Sequence, residues 1–504
     1  MSNTGLNKYQ KLTDREHILK KPDTYIGSIE NVEENVYVFD NNKICEKKIA
    51  YVPGLYKLFD EGIVNCRDHV IRQAQSIKDK KENSLPVTNI QINISDDGVI
   101  TMMNDGNGID VAEHPEYKLW IPEMIFGHLR TSTNYDEQKK EKIVGGKNGF
   151  GFKLVLIWST WGKIETVDHT RGLKYVQEFK DNLTKIEKPK ITKTKVKPYT
   201  KISFLPDYKR FNIKNLSKDM INLFQKRVYD ISAVTEKSVK VKYNDQLLTT
   251  KCFEQYIDLY VGNKQETKRV FESSHERWEY GICLTPNDEF RQISFVNGIF
   301  TQKGGKHVEY ILGQIVRKLS AYIKQKKKIE VKPNTIKEQL MLFLRCDIDD
   351  PSFSSQTKDE LGTPSSKFGS TCVVSDQFIE KVAKMGVMES ACALTEVKDN
   401  KAAKKTDGSK SKSIRGIPKL IDANFAGTSK SNSCTIIFCE GDSAKAGIVS
   451  GLSKEDRNTI GVYPMKGKIL NTRGEIVKKI AENKEISEIK QILGLESNKK
   501  YNEK

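Results

Sequence analysis

Three short stretches of this chain hold residue types suited to phosphate chemistry. The first, Gly145-Gly146-Lys147-Asn148-Gly149-Phe150-Gly151, leads into Phe152 and Lys153. Glycines let backbone amides come close to phosphate oxygens, and the positive end of a following helix adds favourable potential. No Lys-Ser/Thr pair closes the run, so it is not a Walker loop, nor is it a forward GxGxxG. Loops of this composition also serve as plain connectors. The second stretch, Asn104-Asp105-Gly106-Asn107-Gly108, offers an amide that could read an adenine edge. In the third, Glu61 and Asn65 stand four residues apart and share one helix face. A carboxylate beside an amide suits a general base next to a metal ligand, although such pairs are common on solvated helix faces.

Periodicity supplies the elements that must hold these residues. Val52 to Ile77 predicts an amphipathic helix with Leu55, Leu58, Phe59, Ile63, Cys66 and Val70 on one side. Ile90, Ile92 and Ile94 alternate as a strand, and Asp96-Asp97-Gly98 turns into a second strand, Val99 to Asn104. Phe152 to Trp158 reads as an apolar helix start. Later, a strand over Gln292 to Asn297 leads by a Gly304-Gly305 turn into a long helix, Val308 to Lys324. The run CTIIFCE from Cys434 reads as a buried strand opening another α/β unit. Lysines alternate with other residues over Lys185 to Lys201, which fits a solvated strand edge. Lys398 to Ser413 has neither periodicity nor an aromatic residue and reads as a flexible linker.

A length of 504 residues implies two to four domains. Apolar content of 37% with 30% charge and a mean hydropathy of −0.56 describes a soluble protein with sizeable cores. No apolar run approaches the ~20 residues of a membrane span, and the polar start MSNTGLNKYQ lacks a secretory signal. An intracellular protein with no membrane partner is expected. Nine cysteines without a CxxC pair fit reduced thiols better than disulfides or a zinc site. The net charge of +18 suits a polyanion partner, the alternative being a merely lysine-rich protein.

Taken in order, the three stretches resemble the N, G1 and G2 boxes of the GHKL ATPases, the family shared by gyrase, heat-shock protein 90, MutL and histidine kinases. Longer segments narrow the resemblance. Val52 to Asn65, Ile125 to Asp136, Ser294 to Val308, Ser354 to Glu360, Lys367 to Cys372, Ile414 to Asn424 and Cys439 to Gly447 are similar to segments of eukaryotic type II DNA topoisomerases. Lys21 to Ser28 resembles the N-terminal arm of that family, and the likeness runs from about residue 12 to the chain end.

The resemblance implies an α/β (α+β) chain. A Bergerat ATPase domain with its arm would occupy residues 1–235, and a ribosomal-protein-S5-like transducer 236–397. A basic linker over 398–432 and an incomplete TOPRIM domain over 433–504 would follow. By resemblance, Glu61 polarises the attacking water, Asn65 holds Mg²⁺, and Asn104 lies against the adenine of ATP beside Gly106 and Gly108. Ser132, Thr133 and Asn134 would contact ribose and phosphates, and the run from Gly145 and Gly146 through Lys147, Asn148, Gly149, Phe150, Gly151 and Phe152 to Lys153 would wrap the triphosphate. Gln356, Thr357 and Lys358 would reach the γ-phosphate from the second domain, where a point charge can sense the group that hydrolysis removes.

Outside the ATP site, the resemblance makes Glu440 a metal ligand, and Lys468 and Asn471 DNA contacts. Lys324 and Lys326, with Lys327 and Lys328, could line a DNA passage, although a solvated basic helix end fits them too. Tyr25 would cross to the partner of a homodimer closed by nucleotide. The implied activity is ATP-driven passage of one DNA duplex through a break in another, in the nucleus, or in the cytoplasm for a large DNA virus. Two departures affect contact geometry: Lys147 stands where the family usually has arginine, and Phe150 where it usually has tyrosine. The cleaving tyrosine and the Asp-x-Asp pair of the family are expected beyond residue 504. A chaperone sharing the ATP fold would have no use for CEGDSAKAG, and a non-catalytic DNA clamp would not need Glu61.

Overall fold

The computed structural model describes residues 11–131, 143–144, 151–285, 289–395, 417, 419–473, 475, 477–497 and 499–501. The chain divides into two compact units, residues 1–319 with 337–385 and residues 320–336 with 386–504.

In the first unit the chain enters through helix α1 (Asp14–Lys20), whose N-terminus is closed by a capping box between Thr13 and Glu16. A hairpin follows, β1 (Val32–Asp40) with β2 (Lys43–Tyr51). Pro53, at a first-turn position that has no backbone donor to lose, then opens the helix α2 (Pro53–Lys78). All six apolar residues expected on one side of α2 are buried. They pack with α3 (Ile121–Gly127), α4 (Gly151–Ile157) and α5 (Lys218–Val234) in one hydrophobic core, and Phe59 of α2 stacks on Phe224 of α5 at 4.3 Å.

This helical layer covers a nine-stranded mixed sheet. Its strands are β3 (Asn89–Ile94), β4 (Ile100–Asp105), β5 (Ser159–Asp168), β6 (Leu173–Lys180), β7 (Lys185–Ile186), β8 (Lys190–Lys193), β9 (Tyr199–Pro206), β10 (Lys240–Tyr243) and β11 (Gln246–Leu247). The order is β11-β10-β3-β4-β9-β5-β6-β7, with β8 also on β6. β10 pairs in parallel with β3. The sheet therefore takes in residues past 235, where sequence had placed a domain end, because a parallel pair needs a crossover and α5 supplies it. The lysine-rich stretch forms β7, β8 and their connections along this sheet, with Lys185, Lys188, Lys190, Lys193, Lys195 and Lys197 all exposed.

A second sheet in the same unit has the order β12-β13-β17-β14-β15. It comprises β12 (Arg269–His275), β13 (Trp278–Leu284), β14 (Arg291–Val296), β15 (Ile299–Phe300) and β17 (Leu340–Cys346). Helix α6 (Phe253–Val261) shares a core with it through Phe253, Tyr256 and Ile257. Gly304 and Gly305 are not a simple turn. They form a two-residue strand, β16, parallel to β18 (Glu360–Leu361), and so fasten the loop after β17 to the start of α7 (Lys306–Lys327).

The second unit contains the parallel pair β19 (Thr435–Glu440) and β20 (Ile460–Met465), joined through the helix Gly441–Gly451. Only Cys439 of β19 is buried, against the expectation of a buried strand. A two-stranded sheet leaves every strand an edge, so most side chains keep some contact with water. Ile421 bridges to Val462, so the end of the expected linker belongs to this fold. The remainder of that linker, over 398–416, lies outside the described residues.

Candidate functional site

Helix α2 carries Lys57, Asp60, Glu61 and Asn65 on successive turns. The first three are only 5%, 7% and 7% exposed, so the polar face is sealed rather than solvated. Buried charges need partners, and these have them. Lys57 Nζ lies 2.8 Å from Glu61 Oε1 and 3.4 Å from Asp60 Oδ2. The loop after β17 returns Lys358, whose Nζ sits 3.2 Å from the same Glu61 oxygen. Burial alone would push the Glu61 carboxyl up, but the ammonium groups of Lys358 and Lys57 outweigh it and hold it at about 2. Glu61 is therefore ionised throughout the neutral range.

The second carboxylate oxygen faces the start of α4. A Cβ on Gly151 would come within 2.7 Å of Glu61 Oε2, so any larger residue there would push the carboxylate out of place. Asn65 Nδ2 donates to the Glu61 carbonyl oxygen at 2.7 Å. Its Oδ1 is the atom chemically able to ligate a cation.

Asn104 is buried at the end of β4 and donates to the Asp105 carbonyl oxygen at 3.0 Å. Asp105 in turn accepts from the Thr88 and Asn89 amides at 2.7 and 2.8 Å, tying β4 to the approach to β3. Gly106 and Gly108 follow, and a Cβ on Gly108 would overlap the Val167 carbonyl oxygen. Lys153 on α4 donates to the Thr131 carbonyl oxygen at 2.6 Å, and burial pushes its ammonium down to about 8. Phe152 departs from expectation. Its ring is a core side chain, edge-on to Phe126 and Phe204, which leaves only its main chain for a nucleotide. In the loop carrying Gln356, the Thr357 hydroxyl donates to Asp359 Oδ1 at 3.2 Å, and Lys358 adopts φ +62°. Ser132, Thr133, Asn134 and Gly145 to Phe150 lie outside the described residues.

Tyr25 is half-buried in its own chain, its hydroxyl 2.9 Å from His17 Nδ1. In the second unit, Glu440 is exposed at the end of β19, at the N-cap of the helix that follows. Among the described residues, no group of three His, Cys, Asp or Glu could hold a metal. Lys468 and Asn471 are exposed. Lys324 lies 3.7 Å from an equally exposed Glu330, and Lys326 Nζ lies 5.8 Å from the Tyr322 ring centre.

Several site residues carried no assignment in the sequence reading. Lys57 is one. Thr166 is another, its buried hydroxyl accepting from the Ile109 amide at 2.9 Å just past Gly108. Asp60 meets Arg227 of α5 at 2.7 Å, and Arg67 meets Asp347 at 2.5 Å, all in the interior. The available signal was charge at core positions of an amphipathic helix, in LYKLFDEGIVNCRD.

Comparisons with known proteins agree with this geometry. A family model described as DNA gyrase B matches residues 252–412. DNA topoisomerase 2 of Acanthamoeba polyphaga mimivirus is 44% identical over 506 residues, covering 98% of this chain and 39% of that protein. DNA topoisomerase 2 of Saccharomyces cerevisiae is 40% identical, covering 98% of this chain and 35% of that protein. The chain thus spans less than two fifths of the length of these curated relatives. Among solved structures, the ATPase region of Saccharomyces cerevisiae topoisomerase II superposes with a TM-score of 0.71 at 39% identity, covering 78% of this chain and 100% of that one. The ATPase and transducer domains of DNA topoisomerase II from Balamuthia mandrillaris give 0.71 at 37%, covering 78% and 98%. Because it covers two solved ATPase regions almost from end to end, and brings a lysine of the loop after β17 to a buried carboxylate of α2, this chain belongs to the DNA topoisomerase II family and contains that family's ATPase region.

Proposed function

We propose that this chain binds and hydrolyses ATP beside Glu61, and is the nucleotide-operated part of an enzyme that passes one DNA duplex through another. The observation that carries the reading is the meeting of Lys358 with Glu61 across 297 residues of sequence. An incoming γ-phosphate offers Lys358 a stronger partner than the carboxylate. Its departure removes one of the two charges that hold the Glu61 carboxyl low, and the carboxylate becomes a better base.

Water oxygen then bonds to the γ-phosphorus while the bond from that phosphorus to the β–γ bridging oxygen breaks. ADP leaves with the electron pair, and the water proton passes to Glu61. The donor set fits a hard cation: Mg²⁺ held by Asn65 Oδ1 and phosphate oxygens would supply charge neutralisation. Lys153 and Lys358 supply the fixed positive charge of the protein itself.

In this reading the nine-stranded sheet with α2 and α5 is the ATPase domain, the five-stranded sheet with α6 and α7 the transducer, and β19 to β20 part of a TOPRIM domain with Glu440 as metal ligand. Tyr25 belongs to an arm that crosses between two copies in the closed state. Lys324, Lys326, Lys468 and Asn471 meet duplex DNA, an assignment supported by the net charge of +18. Glu61→Gln tests the site. Hydrolysis should fall by ~10²–10⁴-fold, the usual worth of a positioned base, with binding of a non-hydrolysable ATP analogue retained. Turnover within a few-fold of wild type would remove Glu61 from the chemistry.

A further inference from the structure

We infer that Asn297 is a positioning residue that joins the two chain segments leading to the phosphate end of the ATP site. This rests on the site reading above and deepens it. Asn297 and Gly298 form the two-residue turn between β14 and β15, with Val296 paired to Ile299. Their φ angles are +50° and +78°, the left-handed pair that an Asn-Gly hairpin turn requires. Such turns ordinarily sit in water, whereas Asn297 is 0% exposed.

The side chain makes bonds that the hairpin itself does not need. Asn297 Oδ1 accepts from the Ile348 amide at 2.8 Å, and Nδ2 donates to the Ile348 carbonyl oxygen at 3.0 Å. Nδ2 also reaches the Val144 carbonyl oxygen at 3.4 Å, the longest of the three. Ile348 is the second residue of the loop that delivers Lys358, and Val144 immediately precedes Gly145 of the glycine-rich run. One amide therefore bridges the stems of both segments.

The turn is also clamped from the helical side. Arg227, which holds Asp60 next to Glu61, donates through Nη2 to the Gly298 carbonyl oxygen at 2.7 Å. Arg67 packs so closely that a Cβ on Gly298 would lie 2.6 Å from its Cδ, and its guanidinium holds Asp347, the residue before Ile348. A buried amide that only satisfied itself could use any nearby polar atoms. Among the described residues, every side-chain partner is main chain of one of the two stems, so displacement of either stem is felt by the other through Asn297.

Deleting this amide should impair recognition of the third phosphate while sparing the rest of the nucleotide. Asn297→Gly keeps the positive φ and removes the side chain. Asn297→Asp keeps an acceptor for Ile348 and loses the donor. Affinities for a non-hydrolysable ATP analogue and for ADP should be measured on both, beside wild type and Glu61→Gln. The analogue should bind roughly tenfold more weakly to either variant, as expected for lost buried hydrogen bonds, with ADP affinity within twofold. Equal weakening for both nucleotides, as general destabilisation gives, or no change in the ratio, overturns the inference. If neither variant folds, hydrogen exchange on wild type decides it: the Ile348 amide should gain protection with the ATP analogue and not with ADP, and equal protection overturns it. Hydrolysis by Glu61→Gln, in contrast, would defeat the site reading and leave the nucleotide ratio to judge Asn297 separately.

Discussion

Two acidic centres in this protein are built in opposite ways. Glu61 is sealed between two lysines, one a turn away on its own helix and one 297 residues distant. Glu440 stands exposed on an edge strand, and its neighbour Asp442 pairs with Lys419 at 2.5 Å where both are largely in solvent. In low dielectric a charge keeps its geometry only if its partners are fixed, and such an array is poised before substrate arrives. In water the same groups are screened and cheaply rearranged. The first centre suits chemistry that needs an ionised base beside phosphates. Under the proposed function, the second would take its partners from a bound metal ion and a polyanion.

The contrast is broken most strongly at Arg227. Arg227→Met removes the guanidinium shared by buried Asp60 and Asp230, leaving Lys57 and Lys226 as their remaining cations, and losing one member of a buried ion pair costs about 3–5 kcal/mol. Thermal unfolding should show the melting temperature falling by many degrees. A shift no larger than that of a surface substitution would mean that the interior lattice contributes little.

Lys153 gives a smaller effect that depends on pH. Burial lowers its ammonium to about 8, so it is charged below that pH and neutral above it. Affinity for the ATP analogue should fall about tenfold between pH 7 and pH 9.5, as a charge-assisted contact is lost. Lys153→Met should start weaker and titrate less. A flat wild-type profile would take Lys153 out of the phosphate site.

The least effect is expected at the exposed pair. Lys419→Ala should leave stability close to wild type, as expected for a solvent-screened surface ion pair. Equilibrium denaturation can resolve this, and a loss comparable to that at Arg227 would erase the distinction between the two centres.

Local pattern was sufficient for much of this. The 3.6-residue period of Leu55 to Val70 sets the helix that bears Glu61, and alternation over Ile90 to Ile94 sets the strand beside Asn104's own. Glycines at 106, 108 and 151 mark close approaches, because a missing Cβ is a property of one residue. Glu61, Asn65 and Lys358 were singled out from ordered motifs along the chain, and the structure brings Lys358 to Glu61. Tertiary structure alone decided that Lys57, Asp60 and Arg67 are interior, that Phe152 is core, and that Asn297 joins Val144 to Ile348. The reason is physical. A hydrophobic period records which side of an element faces a core. An ion pair between residues 167, 280 or 297 positions apart, or an amide bridge across 153, is settled only when distant elements pack and water leaves.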